Sequence, residues 1–179
     1  MQLQKAQVLA EKVRVALEPL CEQVVIAGSI RRQKAAVNDI DVVAMPRCAV
    51  QAGPLGGTVR LNESAVWMLP FPKALKKAGL KIGVSGPELV RCSFVDNGFQ
   101  VDVYRARPET WGVILLVRTG SKAHNVKLCT LARSKGLMLS AANGIVGRLG
   151  QVIASRTEEE IFAALGLAFV EPKDREVFW

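Results

Sequence analysis

An α+β fold in two lobes is what this sequence predicts, on three observations. Helix and strand periodicities alternate as far as about Thr110, a more compact run of helix and hairpin signals follows, and turn-forming residues separate them. The lobes are then residues 1–110 and 111–179. Leu3, Ala6, Leu9, Ala10, Val13, Ala16, Leu17 and Leu20 recur at helical spacing, with Gln4, Gln7, Glu11, Arg14 and Glu18 opposite, so a helix runs from about Leu3 to Glu18 and ends near Pro19. Val24–Ala27 and Ile40–Ala44 read as strands. The stretch QAGPLGGTVRLNESA, residues 51–65, is turn-rich and reads as a loop. A short helix over Pro72–Ala78 stops at Gly79. Leu80–Val84, Leu89–Phe94 and Phe99–Tyr104 read as strands, the last two joined through Asp96-Asn97-Gly98 as a hairpin.

In the second lobe Trp111–Val117 is apolar throughout and fits helix or strand alike. Ser121 is placed to cap a helix running to Lys135, with Gly136 as its stop. Leu137–Leu139 and Ile145–Val146 read as short strands about Asn143-Gly144. Thr157 and Glu160 form a capping box for a last helix closing at Gly166.

Composition narrows the function classes. Half of the 179 residues are hydrophobic, and the net charge of +8 favours a polyanionic partner. A basic domain with no such partner has the same balance. The four cysteines, Cys21, Cys48, Cys92 and Cys129, are widely spaced, and the one histidine, His124, completes no zinc pattern with them. Reduced thiols in an intracellular protein are expected. No stretch has the pattern of a secretory signal or the roughly 18 apolar residues of a membrane span.

The chemistry is concentrated in VVIAGSIRRQKAAVNDIDVVAMP, Val24 to Pro46. Side chains on a strand repeat every two residues, so Asp39 and Asp41 share a face while Ile40 and Val42 share the other. Two carboxylates on a half-buried face repel one another and resist burial. A divalent ion removes that cost, since Mg2+ takes one or two carboxylates together with substrate phosphates. A pair of such ions about 3.5–4 Å apart clamps the attacking and leaving oxygens of a nucleotidyl transfer. An isolated D-x-D is also what a strand face turned to water looks like. Asp102, inside FQVDVYRA, adds a third carboxylate in an apolar strand, which a neighbouring antiparallel strand would bring against the first two. Upstream, Gly28 lets backbone amides approach a phosphate, Ser29 adds a hydroxyl, and Arg32 offers a bidentate fork.

With these motifs the sequence resembles the nucleotidyltransferase superfamily, and more closely the family X DNA polymerases, the group of DNA polymerase beta. Four blocks carry the resemblance in order: GSIRR…NDIDVV at 28–43, FQVDVYRA at 99–106, LLVRTGSKAHN at 115–125 and EEEIFAALGLAFVEPKDRE at 158–176. The resemblance covers about residues 1–176 and is weak over 46–80. It implies a nucleotidyltransferase palm over 1–110, with a small mixed or antiparallel sheet carrying the three Asp, and a thumb of helices and a β-hairpin over 111–179. Asp39, Asp41 and Asp102 match the metal-binding and catalytic triad, which takes two Mg2+ ions, with Mn2+ able to substitute. Gly28, Ser29 and Arg32 match the residues that hold the β- and γ-phosphates. Thr119, Gly120 and Ser121 match the turn beneath the sugar, and Asn125 the residue that touches the incoming nucleotide from the minor-groove side.

The chain departs from the family pattern at several positions. Val117 and Arg118 stand where an aromatic pair is common, Gln100 where a basic residue is common, Cys129 where an arginine follows the Asn, and Asn38 where a Gly precedes the first Asp. Only about 27 residues precede the Gly-Ser step, where larger members carry a lyase lobe and DNA clamps, so a minimal palm-plus-thumb form is expected.

The expected activity is addition of dNTPs to a primer 3′-OH on primer-template or gapped DNA, with short-gap filling in repair as its setting, by a monomer with no membrane partner. Arg118, Lys122, Lys127 and Arg133 are candidate DNA contacts, with Lys73, Lys76, Lys77, Lys81 and Lys135 as further surface charge for phosphates. His124 reads as a capping or spacing residue. Two other readings stay open: a template-independent transferase acting on DNA, RNA or a small molecule, and a non-catalytic basic DNA-binding module.

Overall fold

The computed structural model describes residues 1–47, 67 and 70–176, and the backbone of 50–52 and 58–60. Cys48 and most of the expected 51–65 loop lie outside those residues. The expected α+β class is present.

Helix α1, Leu3–Leu17, buries Ala6, Ala10, Val13 and Leu17 on one stripe. Strand β1, Cys21–Ile26, pairs antiparallel with β2, Ile40–Pro46, and between them lies the short helix α2, Gly28–Arg31. A small antiparallel pair, β3 (Val50–Ala52) and β4 (Thr58–Arg60), flanks residues 53–57, where only loop was expected. Helix α3, Pro70–Lys77, leads to β5 (Leu80–Ser85), β6 (Leu89–Phe94) and β7 (Gln100–Arg105). The main sheet has the order β1-β2-β7-β6-β5.

One expectation about this sheet is corrected. Strand β2 pairs with β7 in parallel, not antiparallel, and the register sets Asp41 opposite Asp102. The intervening β5 and β6 join on the far side of β7, which frees its other edge to receive β2 in the same direction.

Alternation along β2 and β7 sorts their side chains between two cores. Ile40, Val42, Ala44, Val101 and Val103 face the core made with α1 and α3, which also contains Trp67, Phe71 and Leu75. Val43 lies on the face that carries Asp41. It packs with Ala27, Ala106 and Leu115, against which Tyr104 and Trp111 also rest. The acidic face of the sheet is therefore the one that the second lobe covers.

That lobe begins with α4, Trp111–Thr119, which settles the helix-or-strand ambiguity. Helix α5, Lys122–Ser134, starts at Ser121, whose hydroxyl accepts the His124 amide as expected of a cap. Strands β8 (Met138–Ser140), β9 (Gly144–Val146) and β10 (Val152–Ala154) make a three-stranded sheet where a hairpin was expected, and α6, Glu158–Ala164, is capped by Thr157. Val113, Leu116, Leu128, Ile145, Ile161 and Phe162 fill its core. Among the described residues no helix is long and apolar enough to cross a membrane.

Candidate active site

Gly28 opens the turn after β1 at φ +60°, and a Cβ there would lie 2.1 Å from Asp41 Oδ2. Only glycine tolerates both the backbone conformation and the closeness of the carboxylate. Asp39 sits in the bend just before β2, not on the strand, so its place beside Asp41 is set by that bend and not by strand alternation. Asp39 and Asp41 line a polar cavity of about 310 Å³ together with Ser29, Arg32, Lys34, Asn38, Tyr104, Val117, Arg118 and Gly120. Burial, then the charges of Asp39 and Asp102, push the Asp41 carboxyl up to about 7, against the pull of Arg118 and the Tyr104 hydroxyl.

Asp102 lies beside Asp41 in the sheet but is differently engaged. It is 2% exposed, and Arg91, its partner across β6, donates to both carboxylate oxygens at 2.8 Å. The Tyr104 hydroxyl donates to it at 3.3 Å, and the Gln100 amide reaches it at 3.4 Å. Among the described residues no three His, Cys, Asp or Glu side chains are arranged to hold a metal ion. Asp39 and Asp41 remain facing the cavity, a hard-oxygen pair of the kind Mg2+ takes when phosphates supply further ligands. The buried Ser29 hydroxyl has no partner. The donor set fits a cation at the first two carboxylates, with the third held at its side by Arg91.

The cavity roof comes from the end of α4. Arg118 turns inward, its guanidinium 3.9 Å from the centre of the Tyr104 ring, where a stacked cation is favoured. Thr119 is buried, and its hydroxyl accepts from Arg31 at 2.8 Å while its carbonyl accepts from Arg32. Asn125 donates to the Val117 carbonyl at 2.8 Å and to that of Gly120 at 3.4 Å, so it pins the turn to α5. A Cβ on Gly120 would come within 2.4 Å of Asn125 Oδ1, which keeps a glycine in this turn. His124 is 4% exposed, and burial holds its pKa below the ordinary value. Of the other candidate DNA contacts, Lys122 and Arg133 are exposed on α5 and Lys127 is half-buried.

Residues 114–176 match the family model for the DNA polymerase beta thumb. Two solved structures of Leishmania infantum polymerase beta share the fold. One, a ternary gap complex, has a TM-score of 0.76 at 18% identity over 99% of this chain and 71% of that one. The other, a ternary P/T complex, has a TM-score of 0.73 at 20% identity over 99% of this chain and 77% of that one. No curated protein matches the sequence.

The chain has the fold of DNA polymerase beta, and its residues 114–176 match the thumb of that polymerase.

The polymerase-like fold contains a set of charges that sequence reasoning missed. Glu158, at the start of α6, accepts from Arg31 at 2.8 Å and 2.7 Å through its two oxygens, and also pairs with Arg175, whose side chain has no exposure. Arg31 comes from the first lobe, and Glu158 and Arg175 lie in the thumb match, so this network ties the two lobes together. Burial pushes the Glu158 carboxyl up, but the two arginines outweigh it and hold it below the usual range. Read locally, an acid in the first turn of a helix only offsets the helix dipole. The terminal EPKDRE was a recognisable block, yet nothing in its spacing told where Arg175 or Glu176 would point.

Proposed function

We propose that the chain is a metal-dependent nucleotidyltransferase that extends a DNA primer, with residues 1–110 as its palm and 111–179 as its thumb. One observation carries the reading: two carboxylates, one with its pKa pushed up, line a single polar cavity with the Ser29 hydroxyl and the cations Arg32, Lys34 and Arg118. Acids and the cations Arg32 and Lys34 lining one cavity suit a magnesium–triphosphate, which presents positive and negative charge side by side.

Ser29 and Arg32 take phosphate oxygens in this reading, and the unpartnered Ser29 hydroxyl is a donor in waiting. Asp39 and Asp41 hold the cations, with Asp102 completing the set on the primer side. When bound, Mg2+ supplies Lewis-acid stabilisation of the charge that builds on the reacting phosphate and lowers the pKa of the primer hydroxyl. Arg91 orients Asp102 before substrate arrives, so that it is placed to accept the primer hydroxyl's hydrogen bond. Arg118 and Tyr104 form a stacked wall beside the sugar. The exposed lysines and the net charge of +8 supply phosphate contacts along DNA.

Primer extension tests this. Wild-type protein should extend open, gapped or single-stranded primers only with Mg2+ or Mn2+, and the preferred substrate identifies the acceptor. Asp102→Ala should lower extension by more than about 100-fold, the scale of losing one catalytic electrostatic partner. Duplex affinity of that variant should stay within about twofold, because the released Arg91 is 47% exposed and can be solvated. Duplex affinity should also fall steeply with salt. Normal extension by Asp102→Ala refutes the assignment.

A further inference from the structure

The C-terminal segment brings an acid to the place where phosphate is expected. Glu176 pairs with Arg32 and also with Lys34, whose Nζ lies 3.1 Å from Oε2. Both cations line the cavity that holds Ser29, Asp39 and Asp41. Carboxylate and phosphate oxygens are recognised by the same donors, so one group on these two cations excludes the other. Partial burial pushes the Glu176 carboxyl up, yet the hydrogen bonds from Arg32 and Lys34 prevail and hold it below the usual range.

The placement is built into the fold. The preceding residue, Arg175, has no exposure; its Nε donates to the Val170 carbonyl at 2.9 Å, and its own carbonyl accepts the Ser121 amide at 3.3 Å. Anchored next to such a residue, Glu176 is delivered to the cradle at little entropic cost. Its side chain is nevertheless 27% exposed, so it is not sealed in place.

We infer that Glu176 is an intramolecular competitor for the phosphate cradle, and that a nucleotide enters by replacing its carboxylate on Arg32 and Lys34. The inference rests on the reading of Ser29 and Arg32 as phosphate ligands. It makes Glu176 an affinity-determining residue: the apparent affinity of any anion is reduced by the fraction of molecules in which the cradle is open. A polyphosphate, with several charged oxygens, overcomes a single carboxylate. A lone phosphate group, which carries a charge of about −1.5 to −2, gains far less over it.

The test is calorimetric titration of the full chain with inorganic tripolyphosphate, without metal and at fixed ionic strength, in wild type, Glu176→Gln, Glu176→Ala and Arg32→Ala. Both Glu176 variants should bind roughly three- to tenfold more tightly, the scale of a closed state favoured by a partly exposed ion-pair network. Arg32→Ala should bind more weakly, and in its background the Glu176→Gln gain should shrink. Unchanged or weaker binding by both folded Glu176 variants, with Arg32→Ala impaired, overturns the competitor and leaves the phosphate site standing. Tripolyphosphate binding that is indifferent to Arg32→Ala overturns both. A gain that persists undiminished in the Arg32→Ala background reflects only lost negative charge and also overturns the inference.

Discussion

Two clusters of charge lie near the lobe junction and are built on opposite plans. Asp39, Asp41 and Asp102 bring like charges together, with Asp39 and Asp41 facing an open cavity and Asp41 pushed up to about 7. Arg31, Glu158 and Arg175 interleave two cations with one anion, with Glu158 and Arg175 out of water and Arg31 partly exposed, and there the acid is held below its usual range. The second cluster is complete as it stands and joins the first lobe to the second. In the first, Asp102 is paired with Arg91, while Asp39 and Asp41 have no such ion pair among the described residues. In general, a buried set of alternating charge marks architecture, and a half-open set of like charge marks a site awaiting a ligand.

The largest effect that would sharpen this contrast is at Glu158. Glu158→Gln removes the only anion that Arg175 pairs with among the described residues and leaves a guanidinium with no exposure uncompensated. Breaking a buried pair in this way costs about 3–5 kcal/mol. Urea unfolding should show that loss. A loss below about 1 kcal/mol would mean the network is solvated, and the architectural role would fail.

Asp41→Asn should act in the reverse direction and more weakly. It removes a carboxylate from beside two others without changing its shape. The metal-free variant should be more stable than wild type at pH 8 by about 1–2 kcal/mol, well short of the full shift because the cavity is open to solvent. Saturating Mg2+ should narrow or reverse that difference while primer extension is lost. A destabilised metal-free variant would place the Asp41 charge with the structural cluster and dissolve the comparison.

The two clusters also differed in how legible they were. Asp39, Asp41, Gly28 and Ser29 lie within fourteen residues of one another, and their meaning is local: acids in an apolar run, a glycine before a hydroxyl. The caps at Ser121 and Thr157 were equally local and are present. The junction network joins residues 127 positions apart, and the Glu176 contact spans 144, separations over which spacing carries no information. The parallel pairing of β2 with β7 was missed for a similar reason, since strand direction depends on where β5 and β6 are inserted. Trp111–Val117 stayed ambiguous because it is apolar on two sides, one in the thumb core and one against the sheet. Strand β10 is three residues long with two of them exposed, too short for alternation to register.

The smallest effect is the most discriminating, because the clusters should respond to pH with opposite signs. Glu158 has a lowered folded pKa, so it stabilises above its unfolded pKa, near 4.3, and that stability is lost as pH falls through the folded value. The deficit of Glu158→Gln should therefore shrink toward pH 3. Asp41 has a raised folded pKa, so the native state holds its proton longer than the unfolded chain and loses stability as pH climbs from about 4 to about 7. The surplus of Asp41→Asn should be absent near pH 4 and grow to its plateau above pH 7, a shift of a few degrees in Tm for about 1 kcal/mol in a chain of this size. His124, lowered by burial, destabilises wild type and Asp41→Asn alike as pH falls below about 6.5 and cancels in that difference, whereas the Glu158 charge supports its protonated form, so the Glu158→Gln profile carries a small opposing slope. Thermal unfolding of the three metal-free proteins across pH 3.5–8 reads both trends directly. Parallel profiles for the two variants would show that the acids are electrostatically equivalent, and the division between a paired junction and a waiting site would have no energetic basis.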